Sequence, residues 1–197
     1  VKGHYITYTS AKAGSASGAA AQAFDDSGWQ PVDLPHDWAS ESPIEKDANI
    51  AQGYRKRGFG WYRRHFQVDP ADRGKHFELQ FDGVSTHCTV WVNGTVVHRN
   101  WCGYTSFSAD ITPLLKYGQE FNTVAVRVDA EAQEGWWYEG AGIYRHTWLV
   151  KRSPVHIVTD GVFAQPVKAP DGQWSIPAEV TLANSGEKNA KPTVEVT

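Results

Sequence analysis

The 197-residue sequence contains no methionine and only two cysteines. A chain without methionine is expected to be a processed product or a fragment rather than an intact reading frame. Cys88 and Cys102 are too few for a zinc site, and the eight histidines lack ligand spacing such as His-x-x-x-His on a helix. No metal and no cofactor is expected. An excess of basic charge is also missing: 19 Lys and Arg stand against 22 Asp and Glu, a net charge of -3. That excludes the basic face of an ordinary nucleic-acid binder. No apolar run approaches the roughly 20 residues that span a bilayer, so no membrane partner is expected. There is no phosphate loop, no Gly-x-Ser-x-Gly elbow and no Gly-x-Gly-x-x-Gly after a strand. No local pattern brings two carboxylates together. The sequence therefore offers no complete catalytic apparatus.

What is present is a pattern of short strands. Hydrophobic residues make up 41% and charged residues 21%, enough to close a core. Residues 61–68 alternate, with Tyr62, Phe66 and Val68 on one face and Trp61, Arg63 and His65 on the other. Residues 76–82 alternate through Phe77, Leu79 and Phe81, and residues 87–92 through Cys88, Val90 and Val92. Trp91 is expected in the core of its strand. Asn93-Gly94 is the strongest short hairpin signal in the chain, because a type I′ turn needs two positive φ angles. Residues 95–98 are the return strand. On that register Cys88 faces about residue 99, which favours two buried free thiols over a disulfide to Cys102. Further strands are expected over 30–34, 104–110, 122–128 and 143–150. Thr112-Pro113 reads as the start of one helical turn that Gly118 ends.

Short alternating strands with Gly, Pro and Asn-Gly turns and almost no helix imply an all-β sandwich of two antiparallel sheets around one core. About eight strands before Ser153, with no Cys–Trp–Cys frame, favour a jelly roll over an immunoglobulin fold. Ser153-Pro154 closes that unit, giving a first domain over 1–153. Residues 154–197 carry new strand signals and an Asp171-Gly172 turn. They are too few for a sandwich of roughly 100 residues and are expected to be the opening strands of a truncated second one.

The stretch 135–142, Gly-Trp-Trp-Tyr-Glu-Gly-Ala-Gly, cannot be a regular element. It presents aromatics and an acid, with glycines at 140 and 142, on a shaped loop. Asp37, after a proline, reads either as a turn or cap residue or as a carboxylate aimed from a strand end into a site. The segment 39–60 lacks periodicity and is a long surface loop, of the kind usually retained for a use.

Nine motifs occur in order. They are Phe24-Asp-Asp-Ser-x-Trp29, Val32-x-Leu-Pro-His-Asp-Trp38, Gly60-Trp-Tyr-Arg-Arg64, Phe81-Asp-Gly-Val84, Val90-Trp-Val-Asn-Gly94, Gly103-Tyr-x-x-Phe107, Asp110-Ile-Thr112, Asn122-x-Val-Ala-Val-Arg-Val128 and Gly140-Ala-Gly-Ile-Tyr-Arg145. Over about residues 20–152 they resemble the N-terminal sugar-binding domain of glycoside hydrolase family 2. The His-Asp-Trp and Gly-Ala-Gly-Ile-Tyr-Arg forms look most like its β-galactosidase branch. The resemblance implies a galactose-binding-domain-like jelly roll, then the start of an immunoglobulin-like sandwich, then a TIM barrel beyond residue 197. The barrel would carry both catalytic glutamates of a retaining exo-glycosidase acting on terminal β-galactosides or related β-glycosides, so this chain alone would be inactive. It also implies that the first domain sends two loops to the barrel mouth. On the matching segments Asp37 would accept from sugar hydroxyls, with Trp136, Trp137 and Glu139 lining the subsite. The implied partners are a terminal β-linked sugar and downstream domains of the same polypeptide, with a homo-oligomer left open. The alternatives are a free-standing carbohydrate-binding module and a purely structural interdomain sandwich.

Overall fold

The structure, a computed structural model, describes residues 16–131 and 139–195. The chain divides into two compact units, one of Val1–Arg73 with Phe77–Val150, the other of Gly74–His76 with Lys151–Thr197. Its strands are β1 (Phe59–Phe66), β2 (His76–Phe81), β3 (His87–Val92), β4 (Thr95–Asn100), β5 (Phe107–Asp110), β6 (Asn122–Asp129), β7 (Thr147–Arg152), β8 (Val155–Ala164), β9 (Val167–Lys168), β10 (Trp174–Ser175) and β11 (Ala178–Asn184).

The first unit is an all-β sandwich. One sheet has the order β1-β6-β3-β4 and the other β5-β2-β7. The alternation of apolar residues turns one face of each sheet inward. Phe77, Leu79 and Phe81 of β2 meet Cys88, Val90 and Val92 of β3 and Val124, Val126 and Val128 of β6 in one core. Phe107 of β5 stacks on Phe81 with ring centres 4.9 Å apart. Asn93 and Gly94 turn β3 into β4 at φ 50° and 79°, the left-handed pair the Asn-Gly signal predicts.

Several details differ from the sequence reading. A register shift between Val90 and Trp91 makes Cys88 face Asn100 rather than residue 99. Both cysteines are free, Cys88 buried and Cys102 half-buried. Trp91 lies on the face opposite the core and stacks on Trp61 at 5.4 Å. Both tryptophans occupy outward positions of strands whose inward partners are Tyr62, Val90 and Val92. Residues 30–34 form no strand, and the strand expected over 104–110 begins only at Phe107. The turn at Thr112–Leu114 is a 3-10 helix with Ile111 at the N-cap position. The Thr112 hydroxyl instead accepts from the Phe77 amide at 2.9 Å, which ties the turn to β2. The strand expected from residue 143 begins at Thr147.

Arg63 organises the segment before β1. Its guanidinium, with 1% of the side chain exposed, donates to Asp26 Oδ2 at 2.8 Å and to the carbonyls of Ala19 and Ala21 at 2.6 and 2.9 Å. It also covers the Phe24 ring, which meets Trp29 edge-on at 5.6 Å. A cation with five donors in a fixed fork suits a stretch of coil whose carbonyls have no ladder partner.

In the second unit β8 pairs antiparallel with β11, and β9 with β10 across the Asp171-Gly172 turn. Gly172 has φ 86°, and the Asp171 side chain accepts from the Gln173 amide at 3.0 Å. Ile157, Val162, Phe163 and Leu182 of β8 and β11 remain exposed. Residues 193–195 carry no strand.

Candidate functional site

The site forms where the His36-Asp37-Trp38 segment meets the chain at Glu139–Ile143. The backbone of one segment bonds the other: His36 N donates to Ile143 O at 2.8 Å and Trp38 N to Ala141 O at 2.9 Å. From the far side Ser85 and Gly142 exchange amide bonds of 2.9 Å each. The segment at 140–143 is therefore gripped from both sides.

Asp37 is the N-cap of a single helical turn, α1 (Trp38–Glu41). Its Oδ1 accepts from the amides of Ala39 at 2.9 Å and Ser40 at 3.3 Å. The same oxygen accepts from the Ala141 amide at 2.8 Å. One carboxylate oxygen thus satisfies the start of α1 and holds the second segment in place. Arg55 closes the other end of the turn, donating to the carbonyls of Ala39 and Ser40 at 3.2 and 2.9 Å and to that of Ser42.

Glycines allow this close approach. A Cβ on Gly140 would strike the Asp37 carboxylate, and one on Gly142 would strike the Tyr62 hydroxyl and the His36 carbonyl. Gly142 also has φ 133°. A Cβ on Gly60 would lie 2.5 Å from the Trp38 ring, which packs against the β1 backbone there. Trp38 Nε1 donates to the Arg57 carbonyl at 2.7 Å.

Beside this seam lies a buried ion pair that the sequence did not announce. Arg57 Nη1 meets Glu139 Oε2 at 2.8 Å, with 1% and 2% of the two side chains exposed. Among the described residues Arg57 Nε, Arg57 Nη2 and Glu139 Oε1 are buried without a hydrogen-bond partner. Ala39, Ala130 and Ala141 pack nearby as a small apolar cluster against Trp38.

Tyr62 is the other polar group at the seam. It accepts from the Ile143 amide at 3.4 Å and lies 2.7 Å from His36 Nδ1. Burial pushes its hydroxyl up to about 12, and the charges of Asp37 and Glu41 add to that against the Ile143 bond. The phenol therefore keeps its proton near neutrality and can offer it to the imidazole.

Of the expected site residues, Asp37 and Glu139 are brought to the same seam, with Gly140 and Ala141 between them. The Asp37 carboxylate is half-buried, whereas that of Glu139 is enclosed and faces Arg57. Trp136 and Trp137 lie outside the described residues. A cleft of about 1230 Å³ opens at the edge of the sandwich, lined by Leu34, His36, Tyr62, Phe81, Val126 and Leu149 among others. Neither Asp37 nor Glu139 lines it. Its walls are core side chains, the edge strands β1 and β7 and the segment from Asp26 to Pro43, and it includes the charged side chains of Asp26, Asp33, Glu41, Arg63 and Arg64. Among the described residues no group of three or more His, Cys, Asp or Glu side chains could hold a metal ion.

Three comparisons place this geometry among known proteins. The family model for the sugar binding domain of glycosyl hydrolases family 2 matches residues 23–153. The β-galactosidase BoGH2A of Bacteroides ovatus is 41% identical over 179 residues, covering 89% of this chain and 21% of the relative. A β-glucuronidase of Bacteroides fragilis is 33% identical over 165 residues, covering 78% of this chain and 23% of the relative. The crystal structure of a glycosyl hydrolase family 2 member from Bacteroides cellulosilyticus superposes with a TM-score of 0.73 at 31% identity, covering 88% of this chain and 27% of that one. The chain thus spans about a fifth of the length of these curated relatives.

Proposed function

The chain belongs to glycosyl hydrolase family 2, over its sugar-binding domain, and from that membership we propose that it is the non-catalytic N-terminal part of a retaining exo-β-glycosidase. On this reading a TIM barrel elsewhere in the polypeptide breaks the bond, and the first domain (1–153) supplies two segments to the barrel mouth. Residues 154–197 are then the first strands of an immunoglobulin-like domain between them. The exposed apolar side chains of β8 and β11 suit a sheet that other strands complete.

The observation that carries the reading is the 2.8 Å bond from the Ala141 amide to Asp37. It holds at one edge of the sandwich both segments assigned to the sugar. On this reading Asp37 Oδ2 accepts from a sugar hydroxyl, and Trp136 and Trp137, which lie outside the described residues, are the aromatics that would pack on the ring. A sugar presents hydroxyls at its rim and an apolar C–H face, so a carboxylate and aromatic residues are the side-chain types that match both. Of the two sugars that the relatives point to, a β-galactoside is favoured by the higher identity to BoGH2A.

The test is kinetic and uses the full-length enzyme with p-nitrophenyl β-galactoside and β-glucuronide. Trp136→Ala and Asp37→Asn should raise KM for the hydrolysed substrate several-fold to tenfold, and the isolated 197-residue chain should be inactive. Hydrolysis by the isolated chain would refute the division of labour. Micromolar sugar binding by the isolated chain would favour a free-standing binding module instead.

A further inference from the structure

We propose that the loop 101–104 carries a second sugar platform, Trp101 with Tyr104, which receives a unit of a glycan chain beyond the terminal sugar. The inference rests on the reading that this end of the first unit meets the substrate.

The loop joins β4 to β5 and borders the seam. The hydroxyl of Tyr144, one residue past Ile143, donates to the Gly103 carbonyl at 2.8 Å. The rings of Trp101 and His87 lie 5.3 Å apart, and His87 is two residues past Ser85, which exchanges amide bonds with Gly142. The segments thus follow one another from Asp37 to 140–143, to 85–87 and to Trp101. Two steps of hydrogen-bonded backbone and one ring contact, at about 5 Å each, put Trp101 on the order of 15 Å from Asp37. A single hexose is shorter than that, so Trp101 meets a different unit of the chain.

The loop backbone is fixed. The Asn100 side chain donates to the Cys102 carbonyl at 2.6 Å, and the Thr105 hydroxyl donates to the same oxygen at 3.3 Å. Tyr144 holds the next carbonyl, that of Gly103. Trp101 and Tyr104 nevertheless stay 66% and 58% exposed. These bonds order the backbone and leave the two rings facing water. Rings carried on an ordered loop lose little freedom when a ligand arrives.

The surroundings favour a glycan over a protein. A protein-docking patch is contiguous and apolar at its centre. The chain neighbours of these rings, Arg99, Asn100, Thr105 and Ser106, are polar, and His87 stands beside Trp101. An isolated ring among amide, hydroxyl and cationic groups matches a sugar, whose C–H face packs on the ring while its rim hydroxyls find polar partners.

The experiment uses the full-length enzyme with p-nitrophenyl β-galactoside and β-glucuronide, and with tetrasaccharides ending in each of these sugars. Trp101→Ala should lower kcat/KM on the tetrasaccharide about tenfold more than on the nitrophenyl glycoside of the same sugar, through KM. Trp101→Phe keeps a ring face and should hold the tetrasaccharide value within about threefold. Tyr104→Ala should shift the same ratio in the same direction. The thermal midpoint of Trp101→Ala should match wild type, because an exposed ring adds little to folding. An unchanged ratio, or turnover of the nitrophenyl glycoside with neither tetrasaccharide cleaved, would overturn the platform. A lowered midpoint with an unchanged ratio would make Trp101 a contact to another domain of the polypeptide instead. Asp37→Asn, read on the nitrophenyl glycoside, tests the terminal-sugar reading separately: an unmoved KM there defeats that reading, whereas the Trp101 ratio alone decides this one.

Discussion

Asp37 Oδ1 and the Ala141 amide lie 2.8 Å apart across 104 residues of sequence. The same oxygen caps α1 through Ala39 and Ser40. Removing the side chain therefore unties three amides at once. Asp37→Ala should lower the unfolding free energy by about 2 kcal/mol, the sum expected for a lost cap and a buried amide left unpaired. Asp37→Asn keeps an acceptor oxygen and should lose well under half of that. Urea denaturation of the two variants checks the difference. Equal losses would mean that the negative charge, rather than the acceptor geometry, holds the seam. The comparison also decides which variant can report on sugar: a KM change in Asp37→Ala mixes ligand loss with a loosened seam.

The glycines at the seam should be unequal to glycines elsewhere. Gly142→Ala combines φ 133° with a clash against the Tyr62 hydroxyl and the His36 carbonyl, so it should cost more than about 2 kcal/mol. Gly140→Ala drives a methyl into the Asp37 carboxylate and should separate the two segments. Gly28→Ala has open space and no positive φ, and should change stability by less than about 0.5 kcal/mol. Denaturation midpoints of the three rank the effect, and a Gly142 variant as stable as the Gly28 variant would contradict the packing described.

The strands were legible because period-two alternation fixes both the element and its inner face, as in Val124, Val126 and Val128. The Asn93-Gly94 turn was legible because its chemistry leaves few alternatives. Trp91 was not, because a strand of this sheet has large residues on both faces and alternation alone does not say which is inner. One extra residue at the Val90/Trp91 bulge likewise moved the partner of Cys88 by one. At the site, Asp37 carried two readings, a cap or a ligand, and the structure realises the cap with one oxygen while the other stays unassigned. Arg57 carried no signal at all. It sits in an aperiodic, charged loop, and its partner Glu139 is 82 residues away, a distance at which no local pattern operates.

Arg63 should act as a staple on residues 19–26. Its substitution by Met keeps the stem that packs on Phe24 but removes every donor to Asp26, Ala19 and Ala21. Limited proteolysis should then cut within residues 19–28 at least tenfold faster, while the β1–β6 ladder stays protected, since opening free energies differ locally. The pair also has an acid signature. The Arg63 hydrogen bond, with His65 assisting, holds the Asp26 carboxyl below its usual range. A depressed folded value means this stability is present above the unfolded value near 4 and is lost as pH falls through the folded one. Asp26→Asn should flatten that acid limb, and an unchanged limb would assign it to other carboxylates.

The alkaline side should be governed by buried donors of the opposite sense. Burial pushes the Cys88 thiol up from 9.0 to about 12, opposed by a bond from Asn100, and it pushes Tyr62 up from 10.0 to about 12. Both groups keep their protons in the folded chain after the unfolded chain has begun to lose them. Their contribution is therefore full below about pH 9 and falls as pH rises through about 12. Denaturation between pH 8 and 11.5 should show stability declining above pH 9, and Cys88→Ala should flatten the earlier part of the decline. At pH 8 iodoacetamide should modify the half-buried Cys102 first and leave Cys88 unreacted until the sandwich opens. Equal labelling rates for the two thiols would mean that β3 and β4 separate without global unfolding, and the core assigned to Cys88, Val90 and Val92 would have to be looser than its burial implies.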